Sequence, residues 1–250
     1  MNRMDVIGAL TLPRESLIDQ RVPKKLLVEN GAPTAADKRQ INEGIEEILW
    51  LAALKPVNIG VPAYRDENRE YLEIAVLSLS LRPAGRAKRL QELVHRAIPY
   101  PVVLLTRKED MHMLSLAHKR WSQGEEGKIV LDDNIISCEL AGRRDTTPLF
   151  LASLALTAQP RVNLLALYEG WIDCLIAFRV AKITGKYVRS TGKRSVVARR
   201  DALSEHENLI YQIAVLRAQA EREPQINRRV DINLEIKRLE AKLAEVTERL

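Results

Sequence analysis

The sequence predicts a mixed α+β fold, with a small α/β sheet domain first and an all-α region after it that ends in a coiled-coil helical hairpin. Three observations carry this expectation. The stretch from Val57 to Leu140 reads mostly as strand, with one helix inside it. Val162 to Ile183 is a nearly all-apolar run of helical length, VNLLALYEGWIDCLIAFRVAKI. Ile232, Ile236, Leu239, Leu243, Val246 and Leu250 step by 4, 3, 4, 3 and 4, which is a heptad seam. At 250 residues the chain can hold one large domain or two ordinary ones.

The elements follow in order. Residues 12–31 hold short amphipathic pieces, VPKK among them. Thr34 with Asp37 three residues on resembles a capping box, and Ile41, Ile45, Ile48 and Ala52 continue at helical spacing. The spacing predicts a helix as far as Lys55-Pro56, where proline ends it. Val57–Val61 reads as a short strand. Tyr71–Arg82 reads as a long central one, because both of its faces carry apolar residues. A helix is expected over Ala84–Ala97, with Leu90, Leu93, Val94 and Ala97 inward. Strands follow at 101–106, 112–119 and 128–140, the last with a turn at Asp132-Asp133-Asn134.

This pattern sets a mixed α/β domain at 1–140 and a linker at 141–147, AGRRDTT. A helical domain with a basic segment spans 148–203, its first helix opened by Thr146 or Thr147 and Pro148. The hairpin occupies 204–250, broken at Pro224. Its seam residues Ile236, Leu239 and Leu243 are the expected partner-binding positions. They face either Leu209, Ile213 and Leu216 of the same chain or another subunit, so a homo-oligomer through the coiled coil is one expectation.

Two unclustered cysteines, Cys138 and Cys174, make neither a disulfide framework nor a zinc site, which points to a reducing compartment. The N-terminal MNRMDVIGALTLP lacks the apolar core of a signal peptide, and Leu164–Phe178 is too short and too acidic to span a membrane. A cytoplasmic protein without a membrane partner is the expectation.

The net charge of +6 is unevenly placed. Residues 1–173 carry 23 Lys or Arg against 23 Asp or Glu, and residues 201–250 carry 8 against 10. Residues 174–200 carry eight basic residues and no acid. Charge focused in this way attracts a polyanion better than the same charge spread out. Lys186, Arg189, Lys193, Arg194, Arg199 and Arg200 are therefore the candidate nucleic-acid-binding residues, on a segment that Gly185 and Gly192 make adaptable. An acidic protein surface is the competing occupant.

No catalytic, metal or cofactor site emerges. The repeated TGK at 184–186 and 191–193 fails as a phosphate loop, because Tyr187 stands where the first glycine belongs and Arg194 follows Lys193 in place of Ser or Thr. His112 and His118 are about 20 Å apart on a regular strand, too far for one metal; the triplet His118-Lys119-Arg120 offers a second phosphate contact. A metal-dependent nuclease needs an acid on one strand and Glu-x-Lys on the next. Glu70 and Glu73 flank a strand start, but Glu73-Ile74-Ala75 lacks the lysine and Glu235-Ile236-Lys237 lies on the coiled coil. No serine sits in a G-x-S-x-G elbow.

Several phrases together resemble a known family: VPKKLLVEN (22–30), LKPVNIGVPAY (54–64), REYLEIAVLSL (69–79), IPYPVVLL (98–105), LSLAHKR (114–120), LYEGWIDCLIAFRVAKITGKY (167–187) and INLEIKRLE (232–240). They are similar to the bacterial domain-of-unknown-function family 4391 over nearly the whole chain. That resemblance implies a gene neighbourhood of helicases and DNA methyltransferases in restriction-like defence loci, hence an accessory subunit of a DNA-acting complex with a helicase or methyltransferase partner. It assigns no catalytic residue. The expected function is a non-catalytic accessory of a DNA-processing or anti-phage defence complex that binds DNA backbone without sequence preference. The alternatives are a cryptic nuclease using Glu70 and Glu73, or a pure protein–protein adaptor.

Overall fold

A computed structural model describes residues 3–125, 129–141, 146–189 and 193–250. The expected α+β architecture is present. The helices are α1 (Arg3–Ala9), α2 (Lys24–Gly31), α3 (Ala35–Gly44), α4 (Pro56–Ile59), α5 (Ala87–Ala97), α6 (Thr147–Ser153), α7 (Leu164–Thr184), α8 (Lys193–Arg222) and α9 (Ile226–Glu248). The strands are β1 (Leu17–Arg21), β2 (Ile45–Leu54), β3 (Tyr64–Arg65), β4 (Glu70–Tyr71), β5 (Ile74–Leu81), β6 (Val102–Lys108), β7 (Met111–Trp121) and β8 (Ile129–Glu139). The chain divides into two units, residues 1–175 and 176–250, with the boundary inside α7.

The first unit is built on a six-stranded sheet in the order β1-β2-β5-β6-β7-β8, with β3 and β4 as a separate pair. β5 is buried along its whole length, as its two-sided apolar pattern requires. It runs antiparallel to β2 and parallel to β6, and α5 makes the crossover between β5 and β6. On one face of the sheet Ala75, Leu77, Leu79 and Leu81 meet Leu27, Ile41, Leu90, Leu93 and Val94 of α2, α3 and α5 in one core. α2 and α5 come so close that a Cβ at Gly31 would stand 2.6 Å from the Leu93 carbonyl oxygen.

Three expected elements are corrected. The helix beginning at Thr34 is capped as expected, with Thr34 Oγ1 accepting the Asp37 N–H at 3.1 Å, but it stops at Gly44 and Ile45–Leu54 is a strand. The pairing of β2 with β5 slips between Ile45 and Glu47, and this bulge lets Ile45 and Ile48 join the same core. Three-residue spacing in a bulged strand imitates a helical stripe. Val57–Val61 is not a strand: Pro56 opens α4, the Asn58 side-chain oxygen accepts the Lys55 N–H at 2.8 Å, and Gly60 closes it at a φ of 63°. The turn at Asp132-Asp133-Asn134 is absorbed into β8. Between the pairs Leu116↔Ile136 and His118↔Asp132, β8 spends four residues where β7 spends two, so turn-forming residues here make a bulge.

α7 forms where the apolar run lies, and Leu167, Tyr168 and Trp171 are buried. The last β6–β7 pair on this side is Leu104↔Ser115, and Tyr168 supplies the next rung with its hydroxyl. That hydroxyl accepts the Ala117 N–H at 2.9 Å and donates to the Val102 carbonyl at 2.8 Å. Cys138 and Cys174 are buried and not joined to each other. Among the described residues no helix is long and apolar enough to cross a membrane.

In the second unit α8 and α9 form an antiparallel pair. Ala202, Leu209 and Val246 are buried together, with Leu239, Leu243 and Leu250 packed around them. Glu205 pairs with Lys242 at 2.9 Å and Arg249 at 3.2 Å, and Arg217 with Glu240 at 2.6 Å. Pro224 lies in the break between the helices.

Candidate functional site

Gly185 has a use that the sequence disguises. It ends α7 in the left-handed region, at a φ of 78°, with its N–H on the Ala181 carbonyl at 2.8 Å. Lys186 is exposed, and Arg189, Arg199 and Arg200 are half-buried. Arg199 Nη1 donates to the Val188 carbonyl at 2.5 Å, tying the chain after α7 to the start of α8. The expected loop is thus shorter than the sequence predicts, because α8 already begins at Lys193. Lys193 and Arg194 occupy its first turn, which holds no acid; their side chains, with Gly192, lie outside the described residues.

That placement is electrostatically contrary. The first turn of a helix carries about half a positive charge, and a cation there costs about 0.3–1 kcal/mol. Helix stability alone favours acids in this turn, and an anion docked at it reverses the penalty.

Ile236, Leu239 and Leu243 lie on the side of α9 toward α8: Leu239 and Leu243 pack in the hairpin core, and Ile236 is buried. The hairpin's exposed apolar residues are instead Ile210, Tyr211 and Val215 on α8 and Ile226, Val230 and Leu234 on α9. The last three, four residues apart, share one face.

The other candidates separate. Glu73 is nearly buried and pairs with Lys55 at 3.2 Å, while Glu70 pairs with Arg65 at 3.4 Å. Among the described residues no group of three or more His, Cys, Asp or Glu is placed to hold a metal. The triplet His118-Lys119-Arg120 is no joint phosphate contact, since its members turn to different partners. His118 Nδ1 meets the Tyr71 hydroxyl at 2.7 Å, Arg120 pairs with Asp132 at 3.4 Å, and Lys119 is only 3% exposed.

Lys119 belongs to a cleft that sequence reasoning misses. About 720 Å³ of space opens between the end of α2, the end of α5 and strands β7 and β8. Lys119 Nζ donates to the His95 and Ile98 carbonyls at the C-terminal end of α5. Burial pushes its ammonium down to about 7. His95, fully buried, meets Ser115 Oγ through Nε2 at 3.0 Å, and its Nδ1 has no partner. Burial, with the Lys119 charge next, pushes this imidazole down to about 3, so it is neutral. Leaving a buried polar atom unsatisfied costs about 1–3 kcal/mol. No motif joins residues 95 and 119; the only sequence signal is a lysine inside an apolar strand, LSLAHKR.

A family model described as Domain of unknown function (DUF4391) matches residues 10–243. The chain belongs to this family. The match covers every strand of the sheet, the basic segment and most of the hairpin, and leaves out α1. No curated protein and no solved structure matches the DUF4391 chain.

Proposed function

We propose that this DUF4391 protein is a non-catalytic accessory subunit of a DNA-processing or defence complex, holding nucleic-acid backbone through the segment from Lys186 to Arg200. The observation that carries this reading is the basic cluster at the positive end of α8: eight basic residues without an acid over 174–200, four of them in the first eight residues of the helix. Tyr187 is the sole aromatic between Lys186 and Arg200, so phosphate contacts rather than base stacking carry the affinity. The partner protein, a helicase or methyltransferase by the family resemblance, docks in this reading on the apolar residues that the hairpin leaves exposed.

Retardation of duplex and single-stranded DNA over a salt series tests the proposal. Log affinity should fall against log salt with a slope of about −0.9 per phosphate neutralised on duplex DNA. Lys193→Ala with Arg194→Ala should lower that slope by roughly 1 to 2 and weaken all sequences alike. No retardation at low salt, or a double variant that binds like the wild type, refutes it and leaves the segment as a dock for an acidic protein.

A further inference from the structure

We propose that the cleft over Lys119 and His95 binds a small anionic metabolite, whose carboxylate or phosphate group enters first and pairs with Lys119. The argument begins with charge. Buried cations in proteins are normally met by an anion. Lys119, at 3% exposure, has two backbone carbonyls and no carboxylate among the described residues. Those carbonyls take two of the three ammonium N–H groups and leave one for a ligand. A lysine that served only to cap α5 has a flexible stem that can carry its charge to water. This one is held beneath the surface and lines open space instead.

His95 supplies the second, independent observation. The residue lines the same cleft, its ring is fully buried, its Nε2 is engaged by Ser115, and its Nδ1 lacks a partner among the described residues. Nδ1 accepts or donates according to how the Ser115 hydroxyl turns, so it suits a ligand hydroxyl or a protonated acid oxygen beside the anion. Among the described residues the remaining charges lining the cleft are Arg96, also on α5, and Glu29 on α2; Glu29 already pairs with Lys25 at 3.7 Å. The inner charge is therefore positive. The 720 Å³ falls within the roughly 300–1,000 Å³ of small-molecule sites, more than a bare ion fills. The ligand has a body as well as a charged head.

Calorimetry and thermal melts of the full-length protein with pyrophosphate, citrate and, as a neutral control, glucose test this. One or both anions should bind saturably and raise the melting temperature at about 10 mM, with glucose inert. Preference for pyrophosphate or citrate tells a phosphate ligand from a carboxylate one. Lys119→Met should weaken binding at least about tenfold and leave DNA retardation unchanged, so that this proposal and the nucleic-acid reading fail separately. Because burial lowers the Lys119 ammonium to about 7 and an anion raises it again, binding of citrate, fully ionised near pH 8, should take up close to one proton. Heats measured in buffers of different ionisation enthalpy report that uptake in the wild type, even if Lys119→Met does not fold. No saturable binding by either anion, citrate binding at pH 8 without proton uptake, or a folded Lys119→Met that binds like the wild type overturns the proposal.

Discussion

Tyr168→Phe removes one oxygen and should cost more than its size implies. The β6–β7 ladder reaches Leu104↔Ser115, and one step further Val102 and Ala117 would face each other. The Tyr168 hydroxyl takes that rung, with the Ala117 N–H at 2.9 Å on one side and the Val102 carbonyl at 2.8 Å on the other. The residue is wholly buried, so water does not replace the oxygen. Phenylalanine leaves an N–H and a C=O unsatisfied at about 1–3 kcal/mol each, and partial relaxation gives a total of about 2–4 kcal/mol. Tyr71→Phe is the control. Its hydroxyl meets the His118 ring nitrogen at 2.7 Å and is also reached by the Lys119 backbone N–H, so its loss costs about 1–3 kcal/mol. Equilibrium urea unfolding followed by circular dichroism measures both, with an unchanged m-value showing that the same surface unfolds. If Tyr168→Phe stays within about 0.5 kcal/mol of the wild type, the hydroxyl is not a structural rung.

Leu239→Glu should weaken the α8–α9 hairpin by roughly the 1.5–3 kcal/mol that a buried leucine contributes, lowering the melting temperature of the second unit; an unchanged melt means that the seam is not packed. The pH dependence has a defined sign. His95 in the fold lies near 3 against an ordinary 6.5, so the unfolded chain takes the proton first, and stability present above 6.5 is lost as pH falls toward 3. One proton gives a slope of about 1.4 kcal/mol per pH unit, and His95→Gln should flatten it; parallel wild-type and variant profiles refute a buried neutral imidazole. Asp37 adds a second acid window. Hydrogen bonds from Arg89 and then the Thr34 hydroxyl hold its carboxyl near 2, so its contribution is present above 3.8 and lost as pH falls through about 2.

Signals that act within a few residues were legible in the sequence. The Thr34 cap, the Pro148 start, the break at Pro224 and the 4-3-4-3-4 seam each depend on neighbours along the chain, and each lies where such chemistry puts it. Bulges were not legible. In β2 the slip after Ile45 turned a strand into a helical pattern, and in β8 it consumed residues that look like a turn. A bulge is fixed by the partner strand, which a local reading does not contain. The cleft was hidden for a similar reason. His118-Lys119-Arg120 looks like a surface patch until strand alternation sends Lys119 under α5, and His95 meets it only because α5 crosses the sheet between β5 and β6.

Among the described residues, two places set positive charge against what folding alone favours. One is the buried pair of an unpaired cation and an unsatisfied imidazole; the other is the row of basic residues at the positive end of α8. Elsewhere charges follow stability: Asp37 sits in the first turn of α3 with Arg89 across from it, and Glu205 takes both Lys242 and Arg249. A sequence whose local choices otherwise agree with its fold carries its conflicts where another requirement outweighs stability. Both conflicts have the same sign, an excess of positive charge without an acid to meet it. An anion removes each of them, a polymer at the helix start and a small molecule in the cleft.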